Sequence, residues 1–131
     1  MPDDWELYFQ KACESLRVAH SASTRGMNNC AANRAYYAAY LAELAALQKF
    51  DPMVLPAEGW RHQNVVKAFN HRLVREKKFF DDDIIADAAY LESLRIKADY
   101  AAEHVSETES RDCFKKARKI VQAIGKKLKE K

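Results

Sequence analysis

Apolar residues recur at helical spacing almost from end to end of the chain. Between residues 4 and 22, Tyr8, Phe9, Ala12, Leu16 and Ala19 lie 3, 4, 7, 11 and 14 positions after Trp5, on one face of a helix. The run Ser21–Gly26 closes that element, and Gly26 suits a left-handed exit. Asn28 or Asn29 then offers a side-chain oxygen to cap a second helix over 29–49. That segment is dense in alanine, with Tyr36, Tyr37, Tyr40, Leu41, Leu44 and Leu47 as its larger residues. So much small and apolar surface predicts a helix gripped on more than one side.

Asp51-Pro52, Pro56 and Gly59 break the pattern, so residues 50–59 read as a loop. A third helix is expected over 60–77, with Val65, Ala68, Phe69 and Leu73 inward. Asp81-Asp82-Asp83 stands where a fourth helix begins, since carboxylates there cap open amides and face the positive dipole end. That helix is expected over 83–104 through Ile84, Ala88, Leu91, Leu94, Arg95 and Ala98. Ser106 followed by Glu109 is a capping box, and it opens a fifth helix carrying Phe114, Ala117, Val121, Ile124 and Leu128 on one side. The pattern predicts an all-α fold: an antiparallel four-helix up-and-down bundle with an additional C-terminal helix, in a single domain over 1–131. There are no internal repeats or low-complexity segments.

Composition narrows the class. With 131 residues, 48% hydrophobic, the chain can hide roughly two-thirds of its unfolded surface, and wholesale disorder is excluded. No stretch approaches the ~20 apolar residues of a membrane span, and the acidic start Met1–Trp5 lacks the layout of a signal peptide. Cys13, Cys30 and Cys113 are odd in number and form no Cys-x-x-Cys pair, so three buried or half-buried thiols in a reducing cytoplasm are expected. The net charge of +3 is uneven: residues 111–131 carry nine Lys/Arg against Asp112 and Glu130. Such a basic helix either meets a polyanion or is a solvated face whose last lysines complement the helix dipole.

Several chemistries fall away. Three glycines cannot supply a phosphate loop or a dinucleotide fingerprint, and no Gly-x-Ser-x-Gly elbow is present. None of His20, His62, His71 and His104 has a glutamate three residues before it, so a di-metal carboxylate bundle is not indicated, and neither metal nor cofactor is expected. What remains is a set of polar residues in apolar helical context. Arg34 lies among alanines and tyrosines, Arg95 and Asp99 share a helix face, Tyr100 follows, and Arg61 and His62 open the third helix. Arginine's fork matches two phosphate oxygens, and tyrosine and histidine offer stacking surface for a base. The same residues also suit a structural role, with Arg95–Asp99 as an internal ion pair and the tyrosines as core.

The order of these motifs resembles the HEPN domains (higher eukaryote and prokaryote nucleotide-binding). The likeness rests on Asn33-Arg-Ala-Tyr-Tyr-Ala-Ala39, on Gly59-Trp-Arg-His62 with Val65, Ala68-Phe69 and Val74, and on Leu94-Arg-Ile-Lys-Ala-Asp-Tyr100 followed by Ser106 and a closing helix. It covers about residues 5–128 and is nearest a subgroup with Arg-x-x-Ala-Asp-Tyr on the fourth helix. The resemblance implies an antiparallel helical core, commonly dimerised. Many members are metal-independent ribonucleases of toxin or defence systems, with an arginine followed four to six residues later by a histidine. Others pair with a minimal nucleotidyltransferase, or bind nucleotide or RNA without cutting it.

Here Arg95 matches the motif's arginine, but Tyr100 stands five positions on where the nuclease has histidine, and His104 stands nine on. A tyrosine with an ordinary pKa near 10 is a poor base at neutral pH. The leading expectation is therefore a cytoplasmic, homodimeric, non-catalytic module binding RNA or a nucleotide through Arg95, Asp99, Tyr100, Arg34, Tyr37 and His62. It would belong to a prokaryotic toxin–antitoxin or defence system, with a nucleotidyltransferase-like or antitoxin partner. A ribonuclease toxin using Arg95 with His62 or His104 is the first alternative. A structural interaction domain, with the alanine-rich second helix as a dimer face or a docking site for a partner, is the second.

Overall fold

The computed structural model describes residues 3–53 and 62–130. Among them every regular element is helical: α1 over Asp4–Thr24, α2 over Asn28–Phe50, α3 over His62–Ala68, α4 over Asp83–Tyr100 and α5 over Glu107–Leu128. α3 runs on directly into a π-helical stretch, Phe69–Glu76. The predicted start of the third helix at residue 60, with Pro56, Gly59 and Arg61, lies outside the described residues.

α2 is the centre of the bundle and packs against α1, α3, the π-helical stretch, α4 and α5. Its alanines make this possible. Ala32, Ala35, Ala38, Ala42, Ala45 and Ala46 are completely buried, so neighbouring backbones close in on every side. The alanine-rich surface is consumed within the chain, and the expectation that it forms a docking face for a partner is corrected. Larger side chains fill the spaces between helices: Leu47, Phe69, Leu73, Leu91, Ile120 and Ile124 are essentially solvent-free. Each contributes about 1.5–3 kcal/mol by leaving water. One close approach needs glycine: a Cβ on Gly125 of α5 would lie 2.7 Å from Phe9 Cζ of α1.

Helix ends differ from expectation in instructive ways. Gly26 takes the left-handed conformation (φ 73°), and the Met27 amide closes back onto Ala22 O at 2.8 Å. Neither Asn28 nor Asn29 caps α2, whose N-cap is Met27. Asn29 instead accepts from Val105 N (2.9 Å), tying the α4–α5 connection to α2. That tether, with Val105 fully buried, turns the chain out of α4 at Tyr100 rather than at 104. The aspartates before α4 do not cap it with their side chains: the Ile84 and Ile85 amides bond to the carbonyls of Asp81 and Asp82. Asp83 turns to Lys119 of α5 at 2.6 Å, a bond that holds its carboxyl below the usual range. The capping box forms as predicted, with Glu109 N donating to Ser106 Oγ (3.1 Å) and Ser106 N to Glu109 Oε1 (3.0 Å). Cys113 is buried and Cys13 half-buried, but Cys30 is exposed, because it lies at the open first turn of α2.

Candidate nucleic-acid interface

The motif residues of α2 and α4 come together through one asparagine. Arg34 Nε and Nη2 donate to Asn33 Oδ1 at 2.9 and 2.7 Å, while Asn33 Nδ2 donates to both carboxylate oxygens of Asp99 at 3.2 Å. Asp99 in turn faces Arg95 Nη1 at 3.9 Å, beyond hydrogen-bonding distance. The predicted Arg95–Asp99 pair thus exists but is loose, since Asp99 is held mainly by Asn33. Arg95 Nε is buried with no hydrogen-bond partner. A guanidinium whose donors are so incompletely used retains a strong preference for an anion.

Both arginines lean on tyrosines of α2. The Arg34 guanidinium lies 5.0 Å from the Tyr37 ring centroid, and that of Arg95 lies 4.8 Å from Tyr36. His62, at the start of α3, completes an aromatic cluster, with its ring 4.1 Å from Tyr40, 5.7 Å from Tyr37 and 6.3 Å from Tyr36. Helical spacing explains the arrangement, because Tyr36, Tyr37 and Tyr40 lie on one side of α2 facing α3 and α4. Burial, aided by Arg95, pushes the His62 pKa below its ordinary value, so its ring is mainly neutral at pH 7. Burial pushes the Tyr36 hydroxyl up to about 12, and Tyr40 is raised for the same reason. At neutral pH these two hydroxyls therefore stay protonated.

The other candidates stand apart. Tyr100 is 76% exposed at the end of α4. His104 lies beyond α4, its Nδ1 2.9 Å from Asn29 Nδ2, where it braces the α4–α5 connection. A groove of about 470 Å³ runs along the ends of α1, α2 and α4, lined by Val18, Met27, Cys30, Asn33, Arg34 and Asp99 among others. Much of α5's positive charge is engaged within the chain: Lys116 and Lys119 reach Asp87, Arg111 pairs with Glu107 and Lys127 with Glu130. Among the described residues no cluster of His, Cys, Asp and Glu could hold a metal ion. No described helix is long and apolar enough to cross a membrane.

The model of the HEPN domain family matches residues 5–128. The chain belongs to the HEPN family. A search of curated proteins finds no match. Within this HEPN domain, sequence reasoning named Arg34, Arg95, Asp99, Tyr37 and His62, and these do share one polar–aromatic cluster. It passed over Asn33, which joins Arg34 to Asp99, while Tyr36 and Tyr40, read as core, are indeed buried in it. Asn33 was visible as the first residue of the α2 motif, next to Arg34, but its bond across to α4 is tertiary. It also passed over Glu43, whose signal was a lone carboxylate in the run Ala42-Glu43-Leu44-Ala45.

Proposed function

We propose that this HEPN domain is a non-catalytic module that binds RNA or a nucleotide at the cluster of Arg34, Asn33, Asp99, Arg95, Tyr37 and His62. The observation that carries the reading is the pair of arginines joined through Asn33 and Asp99, each stacked on a tyrosine. Arg95 and Arg34 hold phosphate oxygens, Asn33 fixes the fork of Arg34 while Asp99 faces Arg95 loosely, and Tyr37 and His62 supply surface on which a base stacks. Tyr100 stands outward where the nuclease pattern places histidine, which supports binding without cleavage.

The reading extends to a homodimer across the outer face of α4. There Ala86, Ala89, Ser93, Ile96 and Tyr100 are all exposed at heptad spacing, as in paired helices. The setting that fits is a prokaryotic toxin–antitoxin or defence system, with an antitoxin or nucleotidyltransferase-like partner. A ribonuclease is the second reading. It is favoured by His62, whose neutral ring within electrostatic reach of Arg95 would restore an Arg–His pair through space.

The test is mixed-sequence labelled RNA in EDTA with wild type, Arg95→Ala and His62→Ala. Salt-sensitive binding without cleavage is expected, weakened about tenfold by Arg95→Ala. Affinity unchanged by Arg95→Ala overturns the site. Cleavage abolished by both variants makes the protein a nuclease.

A further inference from the structure

Beside the arginine cluster, α2, α3 and α4 enclose a cavity of about 240 Å³. Its α2 wall is Tyr36, Tyr40 and Glu43, spaced four and three residues apart on one face. The Tyr36 and Tyr40 rings are nearly parallel, 10° between planes. Val66 of α3 and Asn70, in the first turn of the π-helical stretch, line the cavity on one side, and Ala88, Ala89 and Glu92 line it from α4. Glu92 is exposed and marks the mouth.

The floor is chemically unfinished. Glu43 is 1% exposed, and its Oε2 has no hydrogen-bond partner. Asn70 Oδ1 is likewise buried and unpartnered. Two orphan polar atoms at the bottom of one cavity are rare in native proteins, and their shared location points to a group that satisfies both. Among the described residues no cation pairs with Glu43, and π-helical turns are frequent at functional sites.

We infer that this cavity is a base subsite for an adenine nucleotide, with Glu43 and Asn70 reading the base edge while Tyr36 and Tyr40 flank it. The inference rests on the proposed function, because Tyr36 also carries Arg95 on its ring and so places the subsite next to the phosphate-holding arginine. Adenine is favoured over guanine by the state of the floor. Burial alone pushes the Glu43 carboxyl up to about 8, so in the empty cavity it is protonated at neutral pH. A neutral carboxylic acid donates its O–H to adenine N1 and accepts from the exocyclic amine, whose second hydrogen serves Asn70 Oδ1. Guanine presents two N–H donors side by side and requires a carboxylate.

Titration calorimetry of the full chain with AMP, GMP, CMP and UMP tests this, using wild type, Glu43→Gln, Glu43→Leu and Arg95→Ala. A glutamine amide reproduces the donor–acceptor pair of the neutral acid. AMP is therefore expected to bind best, Glu43→Gln to retain it, and Glu43→Leu to lose about tenfold. Circular dichroism verifies that each variant is folded. GMP preference lost in Glu43→Gln overturns adenine. Equal AMP affinity in wild type and Glu43→Leu overturns the subsite, and if RNA binding still depends on Arg95 the proposed function survives that failure. AMP binding that depends on Glu43 but not on Arg95 supports the subsite and overturns the arginine cluster. No nucleotide binding by any variant overturns the inference.

Discussion

Two carboxylates are buried among the described residues, and they are treated in opposite ways. Asp87 of α4 faces α5, where Lys116 and Lys119 approach its two oxygens at 3.3 and 3.4 Å. Glu43 of α2 faces α3 and α4; its Oε2 and Asp87 Oδ2 both lack a hydrogen bond, but among the described residues only Asp87 has an ammonium beside that oxygen. One is part of the architecture, since its partners come from the helix it packs against. The other costs stability without a visible return inside the chain. The contrast separates a face built to hold helices together from a face left chemically open, and the open face is the one that adjoins Arg95, Tyr36 and His62.

The largest expected effect follows from Glu43. Its carboxyl titrates at about 8 in the folded protein against an ordinary 4.5. Between those values the folded state keeps a proton that the unfolded chain has lost, so unfolding free energy is greatest below pH 4.5. It falls as pH rises and has lost its full amount above 8. The total is on the order of 5 kcal/mol. Urea titrations from pH 5 to 9 should show this decline in wild type and a nearly flat profile in Glu43→Gln. Parallel profiles for the two proteins would mean that Glu43 does not carry the effect.

Substitution of Asp87 should change stability with the opposite sign. Asp87→Ala removes the carboxylate partner of Lys116, while Lys119 keeps Asp83, and is expected to destabilise the protein by about 1 kcal/mol at pH 7. Glu43→Gln is expected to stabilise it at pH 9. If both substitutions destabilise at pH 9, the distinction between the two carboxyls is wrong. A smaller effect is expected on ligand binding from Asn33→Ala. Both arginines remain but lose their link, so RNA affinity should fall less than in Arg95→Ala, by about threefold, with the salt slope unchanged because no phosphate contact is removed.

The same contrast explains what was legible in the sequence. Helix number, order and most of the core followed from periodicity, because burial on one face imposes it residue by residue. The capping box was legible because both partners lie within four residues. The start of α4 at Asp83 was legible, but the capping roles of Asn29 and Asp83 and the end of α4 were not, because Val105 and Lys119, their partners, come from distant parts of the chain. The arginine cluster was half legible: its members lie in motifs, but the bond from Asn33 to Asp99 spans two helices. Glu43 was passed over because an unpaired buried acid breaks the rule that charges stay outside, and a linear reading does not show which residues are unpaired.

The finest test of the comparison is a double-mutant cycle. Lys116→Ala removes one of two ammonium groups from Asp87, and because Lys116 is a third exposed its loss should cost only about 0.5–1 kcal/mol. Combined with Asp87→Ala, the costs should fall short of additive by about 0.5 kcal/mol or more, since the second substitution finds the pair already broken. In 1 M NaCl that coupling should shrink, as screening reaches a part-exposed pair. The matching cycle for Glu43→Gln and Lys116→Ala should be additive at either salt concentration, because no ion pair joins them. Coupling there would mean that the field of α5 reaches the cavity floor, and the separation of the two faces would fail.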